Sequence, residues 1–203
     1  MMKKLALLIL TAIVTLASSC SEDTSNENDL VTLTLKEQQD LLFLREEEKL
    51  ARDVYLFSFD VYGDGIFNNI ASSEQQHMDQ VLTLLNTYGL KDPVSSERGV
   101  FKDPMLQDLY TDLTAGSEIS LLNALTAGAT IEDLDINDIS IFESQTIKTD
   151  LLKLYDQLKC GSKNHLRSYT DRLDVLGGEH VPQYISFEEY NSIVSSDRER
   201  CGP

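Results

Sequence analysis

The sequence predicts an all-α protein built as a four-helix bundle. Three observations lead there. Apolar residues recur at alternating steps of three and four over most of the chain, the spacing of one face of a helix. Helix start and stop signals punctuate the chain between these stretches. Val/Ile/Thr-rich alternating segments bounded by hairpin turns are missing, so strands are hard to place. A length of 203 residues suits one domain, or two small ones, with a real core.

A capping box of Thr34 and Glu37 opens the first helix, which runs to about Tyr62 before Gly63 and Gly65 stop it. The second helix spans about 67–88 and ends at Gly89, and 91–99 is a Pro- and Ser-containing loop. Asp103 followed by Pro104 is an N-cap with proline at the first helical position, predicting a short helix to about Leu113 in the second crossover. Ser117 opens the third long helix, to about Ile136, and 137–144 reads as a break with one short turn. The fourth covers about 147–176 and stops at Gly177 and Gly178; an internal Gly161 works against it by the usual glycine cost. A second capping box, Ser186 and Glu189, starts a short C-terminal helix.

Residues 1–19 carry an address. Lys3 and Lys4 precede an apolar run over 5–16, then small residues lead directly to Cys20. That is the pattern of a secretory signal, and the run is too short for a comfortable membrane span. A cysteine at the exit is the lipobox arrangement, in which Cys20 is lipidated and holds the mature chain on a membrane. Ser21, Glu22 and Asp23 resemble the acidic surface-export signal of Bacteroidetes lipoproteins, which implies an outer-membrane, surface-exposed location. Residues 20–33 then form the lipidated cysteine and a flexible tether, and 34–200 the folded domain. Cys160 and Cys201 remain, an even pair that one disulfide would use in an oxidising compartment.

With 34 acidic against 17 basic residues and a formal charge of −17, the chain is not a nucleic-acid binder by broad electrostatics. It has no phosphate-cradling glycine loop, no nucleophile elbow and no Cys-x-x-Cys pair. The chemistry lies in the apolar stripes instead. The first is Leu41, Leu44, Glu48, Ala51, Tyr55; the second Ile70, Glu74, His77, Val81, Leu84, Tyr88; the third Leu121, Leu125, Gly128, Glu132, Asp135; the fourth Leu151, Tyr155, Leu158, Ser162, His165, Tyr169. Each carries ionisable groups among apolar ones. A lone buried carboxylate costs several kcal/mol unless paired or metal-bound. Three to four carboxylates with two imidazoles match the donor set for two divalent iron or manganese ions, and Glu74 and His77, three apart, share one face.

EKLARDVY at 48–55 resembles the first-helix motif of rubrerythrin-like proteins, and EQQH at 74–77 their second-helix Glu-x-x-His. More closely, LLFLREEEKLARDVY at 41–55, IEDLDI at 131–136 and GSKNHLR at 161–167 resemble a bacterial and archaeal ferritin-like domain family of unknown function, over roughly 35–195. The resemblance implies a ferritin-like four-helix bundle and a di-iron site with Glu48, Glu74, His77, Glu132 and His165 on ligand positions. Ser162 stands where rubrerythrin has a fourth-helix Glu, and Asp135 is the carboxylate that would replace it. It further implies a carboxylate protein using oxygen or peroxide with Fe²⁺, of ferroxidase or peroxidase type, with two iron ions (manganese as the alternative) and Tyr55 as a catalytic candidate. A non-enzymatic metal-binding or scaffold lipoprotein is the alternative. A monomer or homodimer suits a tethered chain. Glu46 and Glu47 are expected on a solvated face, His180 on the surface, and Arg52 and Arg167 paired with carboxylates of neighbouring helices.

Overall fold

The structure, a computed structural model, describes residues 32–202. The signal over 1–19, Cys20 and most of the tether lie outside them. Six helices follow in order: α1 Leu35–Tyr62, α2 Gly65–Thr87, α3 Pro104–Ser117, α4 Leu121–Ser144, α5 Thr149–Val175 and α6 Phe187–Val194. The four long ones form the bundle. α1 packs along α2 and α4 along α5, while α1 against α4 and α2 against α5 close the ring. α3 covers α1 and α4, and α6 leans on α5. No strand occurs among the described residues.

Local chemistry sets the ends. The capping box is formed: Glu37 N–H donates to Thr34 Oγ1 at 3.2 Å and Thr34 N–H to Glu37 Oε2 at 2.8 Å. Gly63 ends α1 at φ 64, a conformation that favours glycine, and Asp64 at once caps α2 by accepting from Ile66 N–H. This tight connection turns α1 and α2 into a hairpin. Asp103 and Pro104 start α3 as their spacing predicts.

Two boundaries differ from the sequence reading. Ser117 closes α3, and Ser120 caps α4 by accepting from Asn123 N–H. Nor does α4 break at 137–144. Ile139 and Phe142 are buried one helical turn apart against the α1 and α5 apolar residues, and Ser140 and Ser144 return their hydroxyls to the carbonyls of Ile136 and Ile141. Burial of that face outweighs the weak helix propensity of the serines.

The core divides in two. One apolar cluster includes Leu50, Tyr55, Phe67, Ile70, Leu125, Ile136 and Tyr169; the other includes Leu41, Leu44, Val81, Leu85, Ile139 and Leu158. Between them runs a layer of buried polar side chains contributed by all four long helices: Glu47 and Glu48, Glu74 and His77, Glu132 and Asp135, Ser162 and His165. At about 1.5–3 kcal/mol per buried large apolar side chain, the flanking clusters supply the stability that lets the layer stay polar.

Candidate metal centre

Glu74 on α2 stands at the middle of the layer. Its Oε2 lies 2.8 Å from His77 Nδ1 and its Oε1 2.8 Å from His165 Nδ1. Despite these short distances neither pair is aligned as a hydrogen bond, and both Glu74 oxygens and His165 Nδ1 lack a hydrogen-bond partner. Glu48 Oε2 is 3.1 Å from His77 Nδ1, and Glu132 Oε2 is 3.5 Å from His165 Nδ1. The donor atoms thus form two groups that could hold a metal ion, Glu48 with Glu74 and His77, and Glu74 with Glu132 and His165, in each of which the ligand atoms lie within 4.8 Å of one another. Glu74 belongs to both.

The far side of each ring fixes its direction. His165 Nε2 is 3.0 Å from Ser73 Oγ, so an Nε2 proton given to that hydroxyl leaves Nδ1 with its lone pair facing the carboxylates. His77 Nε2 lies against Gly161, where an added Cβ would come within 2.5 Å of it. The glycine that speaks against a helix in the sequence is what makes room for the imidazole. Gly128 does the same for the Tyr169 ring, which packs 5.3 Å from Tyr55. Tyr55 donates to Glu132 Oε1 at 2.6 Å, which leaves Glu132 Oε2 unpartnered.

The electrostatics show a shortage of positive charge. Burial pushes Glu48 and Glu132 up to about 7; for Glu48 the nearby His77 opposes this, and for Glu132 the Glu74 carboxylate adds to it. Glu74 goes the other way: burial would raise it, but His165 and His77 hold it well below the usual carboxylate range. The imidazoles rise in turn, against burial, because Glu74 stands beside each; His165 reaches about 10. Glu47 and Asp135 have no imidazole. Burial and neighbouring carboxylates push both well up, and all four of their oxygens lack a hydrogen-bond partner. Unsatisfied buried acceptors cost about 1–3 kcal/mol each, more when charged. Oxygens left bare around imidazole nitrogens fit divalent iron, manganese or zinc better than magnesium or calcium.

Five of the six candidate ligands, Glu48, Glu74, His77, Glu132 and His165, come together in the two groups; Asp135 is in neither, though buried beside them. Ser162 is no donor to the centre, since its hydroxyl is turned onto the Leu158 carbonyl at 3.1 Å. Several surface expectations need correction. Glu46 is buried and accepts from the N–H groups of Lys102 and Asp103 where the chain enters α3, and Glu47 is fully buried against α4. His180 is also buried, its ring tilted against Tyr190 at 5.6 Å between centres and 3.7 Å from Asp133, whose carboxylate holds the N–H groups of Gln183, Tyr184 and Ile185. Arg52 bonds Asp53 on its own helix and Gln75 on α2; Arg167 pairs with Glu199 beyond α6. Ser73 gave no sequence signal, because a hydroxyl one residue before Glu74 looks like any helix surface serine.

Fold and site together define a helical-bundle protein whose core carries two carboxylate–imidazole groups joined by one glutamate. The chain belongs to the family described as an uncharacterized protein domain, DUF2202, whose model matches residues 37–197. The uncharacterized protein MJ0754 of Methanocaldococcus jannaschii is 46% identical over 166 residues, which cover 81% of this chain and 90% of that protein. A crystal structure of the hypothetical protein MJ0754 from Methanococcus jannaschii matches with a TM-score of 0.81 at 45% identity, over 82% of this chain and 96% of that one.

Proposed function

We propose that the protein is a ferritin-like di-iron carboxylate protein, with manganese as the alternative metal, of ferroxidase or peroxidase type, acting on the cell envelope. The observation that carries this is Glu74, whose two oxygens each approach a different imidazole nitrogen without hydrogen-bonding it. Glu48 and His77 would hold one ion, Glu132 and His165 the other, with Glu74 shared. Two such ions would supply the electrons for reducing oxygen or peroxide. The chain's own residues do the rest. Ser73 and Gly161 set the imidazole directions. Tyr55 holds Glu132 Oε1 and, as a phenol that burial and the Glu132 carboxylate keep protonated, stays a hydrogen-bond donor. The two apolar clusters keep water from the carboxylates. A lipid on Cys20 would place this domain at a membrane surface; among the described residues no helix is long and apolar enough to cross one.

The test is anaerobic titration of the metal-free protein with Fe²⁺, followed by oxygen or hydrogen peroxide. The proposal expects about two ions per chain and an absorbance change on oxidation; His77→Ala should bind about one ion fewer and lose the absorbance change, with helicity intact. Tight metal without any oxidation would favour the non-enzymatic metal protein. No tight metal at all would leave the Glu and His groups as mutual ion pairs and end the proposal.

A further inference from the structure

The carboxylates of the centre are sealed. Glu48, Glu74 and Glu132 are 0% exposed, whereas His77 keeps 6% and His165 8%. Solvent therefore meets the centre at the imidazoles, on the side where α2 and α5 adjoin. There a cleft of about 540 Å³ has both histidines in its wall. A second cleft, bordered by Ile66, Arg172 and Arg198, touches His165 without His77.

The wall of the first cleft has a definite chemistry. Gln76 and Gln80 come from α2, Gln157 and Asn164 from α5, and Glu199 and Cys201 from the C-terminal segment. Apart from the two imidazoles its wall has no aliphatic side chain and no Phe, Tyr or Trp, which disfavours a ligand with an apolar body. Its one carboxylate, Glu199, is engaged by Arg167 Nη2 at 2.7 Å, which disfavours a cation. The neutral amides of Gln76, Gln80 and Gln157, which donate and accept, suit a small, neutral, hydrogen-bonding molecule.

The segment after α6 crosses this opening and is held from one stretch of α5. Cys201 is disulfide-bonded to Cys160. Asn164 Nδ2 donates to the Glu199 carbonyl at 2.9 Å, and Asn164 Oδ1 accepts from Glu199 N–H at 3.0 Å. Arg167 donates to the Ile193 carbonyl and to Ser196 Oγ. The same stretch carries Gly161, which seats His77, and His165 itself. Strap and centre thus share a frame.

We propose that this cleft is the port by which hydrogen peroxide reaches the centre, and that the disulfide-latched strap sets its width, excluding bulkier organic hydroperoxides. The proposal rests on the metal-centre function above. The latch is reversible. A dithiol reductant can attack the exposed Cys201 sulfur; the protein S–S bond breaks, the reductant's S–S bond forms, and two protons pass from its thiols to Cys160 and Cys201.

Two measurements on the full chain test this, each comparing the oxidised protein with the dithiothreitol-reduced protein and with Cys201→Ser. In the metal-free protein, carbethoxylation of histidines by diethyl pyrocarbonate is followed by peptide mass. Unlatching is expected to speed modification of His77 and His165 at least five-fold and to leave buried His180 unchanged. In the iron-loaded protein, hydrogen peroxide is compared with cumene hydroperoxide. The latched form is expected to favour hydrogen peroxide at least a hundred-fold, and unlatching to narrow that ratio at least ten-fold. Equal histidine rates in latched and unlatched protein would overturn the strap. Peroxide consumption with the same selectivity in both would overturn the port while sparing the metal centre. Faster histidine modification in a protein that consumes no peroxide would overturn the proposal through the metal centre itself.

Discussion

Two clusters of buried charge sit on adjacent turns of α1 and behave in opposite ways. Lys49 and Asp53 are fully buried, yet every polar atom is engaged. Lys49 Nζ donates to Asp53 at 2.5 Å and to the carbonyls of Glu97 and Val100, and lies 4.3 Å from the centre of the Phe101 ring. Asp53 accepts in addition from Arg52 and from Gly99 N–H. This cluster nails the loop after α2 to the bundle. The polar layer beside it holds Glu47, Glu48, Glu74, Glu132 and Asp135 against two imidazoles, with bare oxygens on each of the five carboxyl groups. Burial of charge therefore does not by itself mark a site. What separates the two is satisfaction: a network with all its bonds made stabilises a fold, and one whose oxygens face a common space fits a cation.

The comparison can be broken most forcefully at Lys49. Lys49→Met leaves Asp53 with only Arg52 and Gly99 N–H, frees the carbonyls of Glu97 and Val100, and is expected to cost about 3 kcal/mol, read as a large fall in Tm, with metal stoichiometry unchanged. Glu74→Ala should do the reverse. It removes the ligand common to both groups, so isothermal titration with Fe²⁺ or Mn²⁺ should show both ions lost, while the metal-free protein stays folded. If Glu74→Ala unfolds the metal-free chain, the layer is structural in the same sense as Lys49 and Asp53, and the distinction fails.

Smaller effects sharpen the contrast. Gly161→Ala drives a methyl into His77 Nε2; overpacking of this kind costs about 1–3 kcal/mol, and a misplaced ligand loses about 10–100-fold in metal affinity. Tyr55→Phe removes one hydrogen bond to Glu132, about 1.5–3 kcal/mol if that carboxylate is charged, and should slow oxidation of bound metal without abolishing binding.

The pH dependence of the metal-free protein follows from the same layer. Glu48 and Glu132 titrate near 7 when folded, above their unfolded value of 4.5, so the unfolded chain releases their protons first and stability falls as pH rises from about 4.5 to 7. His77 and His165 are raised above 6.5, so their contribution, full below that pH, is lost as pH climbs toward 10. Melting curves of the metal-free protein should decline from pH 5 to pH 9, and metal should flatten the decline. A rise over that range would mean the carboxylates are not held as described.

Much of this was legible in the residues. Four helical stripes with polar middles locate the layer, because a 3.6-residue period cannot hide an ionisable group that returns to the buried face. Glu48, Glu74, His77, Glu132 and His165 are found on that ground and from the family resemblance. Glu46 and Glu47 escaped it, since three consecutive glutamates look like a solvated run until α3 and α4 cover them. The continuation of α4 through 137–144 escaped for a related reason: its serines and asparagine argue for a turn locally, and only contact of Ile139 and Phe142 with α1 and α5 overrides them.

The sequence by itself determined the all-α class, the hairpin turn at Gly63 and Asp64, and the faces from which ligands project, because caps, glycines and period are local properties of the chain. Tertiary structure alone decided which oxygens are left bare, why Gly161 and Gly128 must lack a side chain, and that the disulfide expected between Cys160 and Cys201 lies beside the imidazoles. Those are facts about atoms far apart in sequence, and they exist only once four helices have been pressed together and the C-terminal segment laid across them.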